Sequence, residues 1–377
     1  MNLNRVYAIA WKEVLQIRRD LRSILIVVAM PIILMIAFGY GVSFDIKHMP
    51  TVVFDRENSQ QSRELVKRFE SSEYFNVKKK IDNYRDALNL IDQGECQLVV
   101  VIPHDFSQKL REGGTVHVQA FLDGTDANSA NVGMNYADAV VLGFSRQVQI
   151  DWMRQKGMHP FEAPIAVEAR TWFNEDLESM ANIVPGVIAI VMAVVGTFLT
   201  SLTIAREWER GTMEQLISTP VSPIELMIGK LAPYLAIGLA DTALCAAMGV
   251  YWFEVPFRGT VLVLFASSTL FLITVLSLGY FLSVTLKSQL AASQASMIAT
   301  FLPAFLLSGF IFPIDQMPAF IQLVTHVVPA RYFMSMIRAI FLKGTPILLL
   351  REDMAALFIF ASVLVMVATH SFKKRLE

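Results

Sequence analysis

The sequence predicts an α-helical integral membrane protein with six transmembrane helices and an α/β domain inserted between the first and second spans. Hydrophobic residues make up 54% of the 377 residues and charged residues only 17%, whereas about 25% of a soluble domain is charged. Several apolar runs reach the roughly 20 residues that a helix needs to cross a bilayer. The formal net charge of −1 gives no indication of nucleic-acid binding.

The apolar runs predict where the chain crosses the membrane. They occupy residues 23–42, 183–205, 226–253, 259–286, 290–312 and 355–372. We expect helices, because hydrocarbon leaves an open backbone without hydrogen-bond partners. Residues 1–22 carry charges throughout and predict an uncleaved amphipathic helix at the membrane surface. Lysines and arginines near the span ends favour a cytoplasmic location for both termini.

Residues 43–182 predict a folded outer domain. Short β-rich runs begin at Thr51, Cys96, Thr115 and Ile165, and helical patterns occupy residues 57–70, 83–94 and 128–156. This alternation indicates a sheet covered by helices. The chain shows no catalytic constellation and no metal-ligand spacing, which argues against a membrane enzyme. Cys96 and Cys245 fall in a polar and an apolar region, so we expect two separate thiols.

The segment before the last span, residues 313–344, is apolar in patches and interrupted by Pro318 and Pro329. Each half is too short to cross a bilayer as a helix. Two interpretations remain open on these residues alone: a re-entrant helical hairpin that dips into one leaflet, or an amphipathic loop that lies on the membrane.

A punctuated segment, AREWERGTMEQLISTPVSP at residues 205–223, joins the second and third spans. Gly211 fits the position just after a helix end. Thr212 and Gln215 have the spacing of a capping box, and Ser222 and Glu225 repeat it. The pattern therefore predicts a short separate helix between the two spans.

The charges of this segment suggest a docking surface. Glu207, Glu209 and Glu214 are expected to face the cytoplasm beside Arg206 and Arg210. A solvated turn would explain some of these charges, but anionic lipid would repel the three carboxylates. Docking against another protein is therefore the favoured interpretation.

Two stretches resemble the ABC-2 type permeases, the membrane subunits of one class of ATP-driven exporters. They are AREWERGTMEQLISTPVSPIELMIGK at residues 205–230 and LSGFIFPIDQMPAFIQLVTHVVPARYFMSMIRAIFLKG at residues 307–344. The first resembles the family's coupling segment and the second its short re-entrant pair. The likeness covers the whole chain in outline and is strongest to a bacterial multidrug-type subgroup with a large periplasmic domain.

The resemblance implies partners. The chain has no phosphate-binding loop of the form GxxxxGK[ST], so ATP and Mg would be bound by a separate ATPase subunit and no cofactor by this chain. A second copy or a similar permease subunit, membrane lipids and a periplasmic adaptor are further implied partners, in a bacterial inner membrane. The implied cargo is a hydrophobic or amphiphilic small molecule such as a drug. Export of a lipid-linked polymer and secondary transport without ATP are the alternatives.

The resemblance also assigns residues. A coupling helix at about residues 206–220 would contact the ATPase through Arg206, Glu207, Glu209, Arg210, Gly211, Thr212, Met213, Glu214 and Leu216. The re-entrant element at about residues 313–344 would include Pro313, Pro329, Arg331 and Tyr332, with Gly309 just before it. The first, second and fifth spans would line the translocation path.

Two further features lie inside the spans. Pro31, Pro185 and Pro303 are expected to kink the path-lining helices, either for gating or as an ordinary structural adaptation. Asp241 lies inside the third span, where a carboxylate is unfavourable and therefore a candidate for function. It would contribute to the path with Pro303, pair across a subunit interface, or stay protonated.

Overall fold

The computed structural model describes residues 2–41, 48–81, 83–155, 172–173 and 178–372. The chain divides into two compact units, Met1–Ser43 with Thr171–Glu377 and Phe44–Arg170. They are called here the helical unit and the α/β unit. In chain order the elements are α1 (Leu3–Arg19), α2 (Leu21–Gly41), β1 (Met49–Asp55), α3 (Gln60–Glu70), β2 (Phe75–Lys80), α4 (Tyr84–Asp92), β3 (Leu98–Ile102), α5 (Phe106–Glu112), β4 (Gln119–Leu122), α6 (Ala127–Gln155), α7 (Ser179–Glu209), α8 (Thr212–Ile217), α9 (Pro223–Tyr251), α10 (Val261–Leu286), α11 (Gln289–Leu307), α12 (Ala319–Thr325), α13 (Pro329–Arg338) and α14 (Arg351–Ser371).

Helix α7 forms the core of the helical unit. Most of its side chains are buried, and α2, α9, α10, α11 and α13 pack around it. A helix that is apolar on all sides is stable only when other apolar surfaces surround it. Helix α10 approaches α7 closely at Gly279, where a Cβ atom would lie 2.6 Å from the carbonyl oxygen of Thr197.

Within the described residues, five helices are long and apolar enough to cross a membrane. They are α7, α9, α10, α11 and the segment Ile347–Ser371, which includes α14. Helix α2 contains a shorter apolar stretch, Val27–Gly41. The chain is therefore a multi-pass membrane protein by its apolar helices, and a total of six spans stays a prediction. Pro31, Pro185 and Pro303 all lie inside helices, and the kinks expected there stay predictions.

Two short helices, α12 and α13, follow α11, and prolines start both. Pro318 is the N-cap of α12, and Pro329 occupies the first turn of α13. Phe333 of α13 is fully buried and stacks on Phe271 of α10 at a ring-centroid distance of 4.3 Å. Phe271 lies ten residues after the start of α10, about 15 Å along the helix. This contact places α13 beside the interior of α10, and the choice between the hairpin and the surface loop stays a prediction.

The α/β unit contains a sheet of order β2-β1-β3-β4 among its described residues. Strand β1 is parallel to β2 and β3, and β4 is antiparallel to β3. Helices α3, α5 and α6 cover one face of the sheet, around Val53 and Val100. Helix α4 covers the other face, around Val52 and Val99. Because successive strand residues point to opposite faces, the continuous apolar run of β3 is buried on both sides.

The predicted pattern of this unit is partly correct. Strands β1, β3 and β4 and helices α3, α4 and α6 occur within or beside the predicted runs. Strand β2 and helix α5 were not predicted. Three of the six residues of β2 are lysines, which are common on edge strands and weaken the apolar alternation. The strand predicted to begin at Ile165 lies outside the described residues.

Candidate functional site

The turn from α7 to α9 has the local structure that its sequence indicates. Arg210 caps the C-terminus of α7, and Gly211 follows with a φ of 71°. This left-handed conformation is one that glycine adopts without strain. Helix α8 then begins at Thr212, so the predicted short helix exists. The end of the helical unit that carries this turn is called here the α8 end.

One of the two predicted capping boxes is wrong. Thr212 is the first residue of α8 rather than its N-cap, and its hydroxyl donates to the carbonyl oxygen of Glu207 at 3.2 Å. Gly211 takes the N-cap position because the left-handed turn ends there. The second box is present: Ser222 and Glu225 exchange hydrogen bonds at the start of α9.

A buried charge cluster connects three helices at the α8 end. Lys230 of α9 is fully buried and donates to Glu13 of α1 at 2.7 Å and to Glu207 of α7. The carboxyl side chains of Glu13 and Glu207 are 2% and 4% exposed. An unpaired charge at this depth would be strongly unfavourable. The ion pairs therefore hold α1, α7 and α9 in one arrangement.

Lys12 and Tyr234 complete the charge cluster. The Lys12 ammonium lies 2.6 Å from the second carboxylate oxygen of Glu207, and the Tyr234 hydroxyl donates to Glu13 at 3.2 Å. Burial would lower the pKa of Lys12, but its contacts with Glu207 and Glu13 outweigh burial and raise it. Lys12 is therefore charged at neutral pH, and two lysines balance two glutamates.

The placement of Glu207 corrects the sequence analysis. This carboxylate was expected to face the cytoplasm, but it is buried. The prediction considered only charges within residues 205–223, whereas the partners of Glu207 are Lys12 and Lys230, which lie outside that segment. Glu13 offered one signal, because it lies four residues after the apolar Ile9 and therefore on the same helix face. Lys230, inside an apolar run, was the other.

Helix α1 packs along the first turns of α9. A Cβ atom at Gly229 would lie 2.8 Å from Cβ of Ile9 and 3.1 Å from the carbonyl oxygen of Val6, so only glycine permits this approach. The backbone NH of Asn2 donates to Glu225 at 2.5 Å. At the other end of α1, Asp20 forms an ion pair with Arg206. The predicted amphipathic helix thus packs on the start of α9, and through Asp20 it also contacts α7.

Helix α8 has one buried face and one exposed face. Met213 is fully buried, and Leu216 packs against the same apolar cluster. Glu214, Gln215 and Ser218 are exposed. The exposed carboxylate of Glu214 is therefore placed as the sequence predicts, with no role in the packing of the unit.

The remaining charges of residues 205–223 lie at the C-terminal end of α7. Glu209 is exposed and accepts a hydrogen bond from the backbone NH of Gln289 at 2.7 Å. Arg206 and Arg210 border an open cleft of about 640 Å³ between α1 and the end of α7. The lining residues of this cleft are Ala8, Trp11, Lys12, Leu15, Gln16, Arg19, Asp20, Arg206 and Arg210.

The predicted re-entrant residues stabilise the turns around α12 and α13. Arg331 donates to Thr325 and to the carbonyl oxygen of Gln322, and Tyr332 donates to the carbonyl oxygen of His326 at 3.1 Å. These contacts fix the connection between the two short helices.

The backbone before the short helices is held by Arg338 of α13. Gly309 has a φ of 85°, and Pro313 precedes a short 3₁₀ turn. Arg338 donates to the carbonyl oxygens of Gly309 and Phe310 at 2.9 and 3.2 Å. The guanidinium of Arg338 therefore connects α13 to the backbone that follows α11.

The two candidate path residues lie apart in the sequence and on different helices. Asp241 is in α9 and is 6% exposed. Pro303 is inside α11. The structure places both where the sequence predicts, and their roles stay predictions.

Comparison with known proteins identifies the family. The family model described as ABC-2 family transporter protein matches residues 21–370. The chain belongs to the ABC-2 transporter family. This match covers the α/β unit and the helical unit from α2 onward, whereas α1 precedes it.

Individual ABC-2 relatives match over nearly the whole length. The probable multidrug ABC transporter permease YbhS of Escherichia coli strain K12 is 37% identical over 97% of this chain and 96% of its own length. The probable multidrug ABC transporter permease YbhR of the same strain is 27% identical, over 90% of both proteins. The inner membrane transport permease YhhJ is 25% identical over 78% of this chain. The predicted family is therefore correct.

Proposed function

We propose that this ABC-2 permease is the membrane subunit of an ATP-driven exporter of hydrophobic or amphiphilic small molecules, and that the exposed face of α8 contacts a separate ATPase. The family implies pairing with an ATPase subunit, and two relatives are named as probable multidrug permeases. One geometric observation carries the proposal: α8 presents Glu214, Gln215 and Ser218 outward while Met213 fixes it to the helices.

The charge cluster supplies a route from α8 into the membrane-spanning helices. Glu207 is five residues before α8, and its carboxylate holds both Lys12 and Lys230. A force on α8 would therefore move α1, α7 and α9 together rather than bend one loop. Coupling of this kind requires two global states whose balance depends on the nucleotide state of the partner.

The remaining parts of the proposal follow from the same function. The protein would act as a homodimer or with a similar permease in a bacterial inner membrane, with both termini cytoplasmic and the α/β unit periplasmic. An adaptor would bind that unit. Export of a lipid-linked polymer is the alternative within this mechanism. Secondary transport without ATP would predict buried charges in several spans. Among the described residues, the buried charged side chains lie at the α8 end of the bundle, apart from Asp241 of α9.

Glu214→Lys tests the docking face. Reversal of an interfacial charge should weaken ATPase association about tenfold, which corresponds to about 1.4 kcal/mol. The permease itself should melt as the wild type does, because Glu214 is exposed. The measurements are co-purification of the ATPase subunit and ATP hydrolysis by the reconstituted complex.

Glu352→Lys is the matched control for this prediction. Glu352 is an exposed glutamate in the first turn of α14. The opposite end of that helix, about 30 Å away, contacts the α8 end through Phe372 and Trp208. It should leave association unchanged. Equal association of both variants with the ATPase would contradict docking at α8. Glu207→Lys is unsuitable as a test, since it disrupts the charge cluster.

Gly229→Val tests the role of α1. The added side chain must displace Ile9 and the backbone of Val6, which should cost about 1–3 kcal/mol of stability. The face of α8 is unchanged, so the ATPase should still co-purify, while transport per hydrolysed ATP should fall. Gly41→Val is the control, because no atom lies within 4 Å of that added Cβ. Normal coupling in Gly229→Val would show that the contact of α1 with α9 is dispensable.

A further inference from the structure

Asp241 is a buried carboxyl group that neither the fold nor the charge cluster uses. It lies eighteen residues after the start of α9 and ten before its end. Its side chain is almost fully buried, and its Oδ2 atom has no hydrogen-bond partner among the described residues. Ionisable groups inside spanning helices are unfavourable unless they are paired or serve a function.

The surroundings of Asp241 are apolar. A void of about 10 Å³ beside it is at the lower limit for one water molecule. The residues that line this void are Val191, Met192, Val195, Gly196 and Leu199 of α7, Tyr234, Ile237, Gly238 and Asp241 of α9, and Leu272 and Leu276 of α10. The neighbouring Thr242 hydroxyl is directed away, to the carbonyl oxygen of Gly238 at 2.7 Å.

Charged groups that could balance an Asp241 carboxylate are remote in the described part of the helical unit. The lining residues from α7 and α10 do not titrate. On α9, Cys245 lies one turn after Asp241, and the Tyr234 hydroxyl donates its hydrogen bond to Glu13. The titratable groups of the other helices that pack on α9 lie in the charge cluster or toward helix ends. Those of the cluster are Lys12 and Glu13 of α1 and Glu207 of α7. The others are Arg5, Tyr7, Arg18 and Arg19 of α1, Tyr40 of α2, Arg206 and Glu209 of α7, Tyr280 of α10, and Arg351, Glu352, Asp353 and His370 of α14. A dry, unpaired carboxylate is far less stable than the neutral acid.

The packing around Asp241 also keeps water out. A Cβ atom at Gly238 would lie 2.7 Å from Leu272, and one at Gly196 would lie 3.1 Å from Val275. Helices α7, α9 and α10 are therefore in close contact at this level. Water reaches the carboxyl group only if these helices separate, and a hydrated carboxylic acid loses its proton at neutral pH.

We propose that Asp241 is a proton-binding site of the transport cycle that selects cationic amphiphiles. Its carboxyl group holds a proton while α7, α9 and α10 are packed as described, and it releases that proton to water when the helices separate. The carboxylate left in the opened path then attracts a cationic amphiphile, and the group takes up a proton again when the path closes. The cargo step rests on the proposed function, whereas the proton step does not.

Infrared spectroscopy tests the proton step without any transport. Spectra of the purified permease at pH 7 should contain a carbonyl stretching band of a protonated carboxylic acid that disappears in Asp241→Asn. Asp86→Asn is the control, since Asp86 is exposed and its loss should remove only carboxylate intensity. Loss of a carboxylate band in Asp241→Asn would overturn the proposal.

Thermal unfolding tests the proton step through a second observable. Asparagine resembles the neutral acid, so the two proteins should differ least near pH 4, where the unfolded wild-type chain still holds much of its proton. Above that pH the unfolded chain is ionised while the folded chain retains the proton, so the wild type should lose stability relative to Asp241→Asn by about tenfold in the folding equilibrium for each pH unit until the folded group ionises. A wild type that is more stable than the variant at pH 8 would mean that Asp241 is a paired carboxylate, and would overturn the proposal.

Transport assays test the cargo step. In proteoliposomes that contain the permease and its ATPase, the wild type should favour a cationic amphiphile over its uncharged analogue. Asp241→Asn should reduce that preference about tenfold while ATP-driven transport of the uncharged analogue continues. An unchanged preference would overturn the cargo step. A wild-type complex that transports neither compound would contradict the proposed function and the cargo step together, while the infrared result still decides the proton step.

Discussion

Lys230→Met is expected to destabilise the helical unit by about 3–5 kcal/mol, because it leaves two buried glutamates without their shared cation. Glu13 and Glu207 both accept hydrogen bonds from this ammonium, and neither side chain is more than 4% exposed. Lys12 contacts the cluster only from its half-exposed edge and cannot neutralise both carboxylates. The measurement is thermal unfolding of the detergent-solubilised permease, together with ATP hydrolysis by the complex.

Rescue distinguishes this electrostatic cause from a loss of packing. The triple variant Glu13→Gln, Lys230→Met, Glu207→Gln carries no buried charge at these positions and should recover much of the lost stability. Lys287→Met is the control. It removes an exposed ammonium that lies 5.0 Å from the Trp208 ring centroid. The loss of this cation–π contact should lower the stability by only about 0.5–1 kcal/mol. A single variant that melts with the wild type would show that the cluster does not form in the protein.

Gly279→Ala is expected to destabilise the permease although alanine favours helices by about 1 kcal/mol over glycine. The added methyl group would lie 2.6 Å from the carbonyl oxygen of Thr197, a backbone atom that cannot rotate away. Helices α7 and α10 must therefore move apart, which should cost about 1–3 kcal/mol. The hydrogen bond from the Thr197 hydroxyl to the carbonyl oxygen of Val275, at 3.3 Å, should weaken with it.

Gly41→Ala provides the comparison, because the added methyl group meets no atom within 4 Å. This variant should melt at or above the wild-type temperature, as the helix propensity of alanine is then unopposed. The measurement is a comparison of the thermal melting curves of both variants and the wild type in one detergent. A Gly279→Ala protein that is as stable as Gly41→Ala would mean that α7 and α10 are farther apart than described.

These two variants act on different features of one assembly. Gly279 lies where α10 packs directly against the backbone of the central helix α7, and Lys230 lies where α7 is joined to α1 and α9. The first feature sets the arrangement of the spanning helices, and the second connects that arrangement to α8. In the proposed function, ATP-driven force enters at α8 and reaches α9, which also carries Asp241.

Local patterns predicted most of the helices correctly. Apolar runs of sufficient length indicate spanning helices, because side chains that face hydrocarbon and side chains that face neighbouring helices are both apolar. Capping residues place the start of α9 at Ser222, and Gly211 places the end of α7. The family resemblance, carried by residues 205–230 and 307–344, was likewise visible in the chain itself.

Strand β2 and the position of Thr212 show where such patterns fail. Strand β2 is stabilised by its pairing with β1. Its three lysines interrupt the alternation of apolar residues by which a strand is recognised in a sequence. Thr212 has the spacing of an N-cap, but the left-handed turn at Gly211 already provides the start of α8. In both cases the local structure is determined by the backbone, through strand pairing at β2 and through the left-handed turn at Gly211, and not by the spacing of side chains in the sequence.

The sequence by itself determined the class of the protein, its family, and the order of apolar and polar segments, because these depend on residues that are close in the chain. Only the tertiary structure decided which charges are exposed. Glu207 and Glu214 have the same chemistry and lie seven residues apart, yet one is buried against Lys230 and the other faces solvent. Charges interact through space, and the helices that bring Glu13, Glu207 and Lys230 together are more than two hundred residues apart at their extremes.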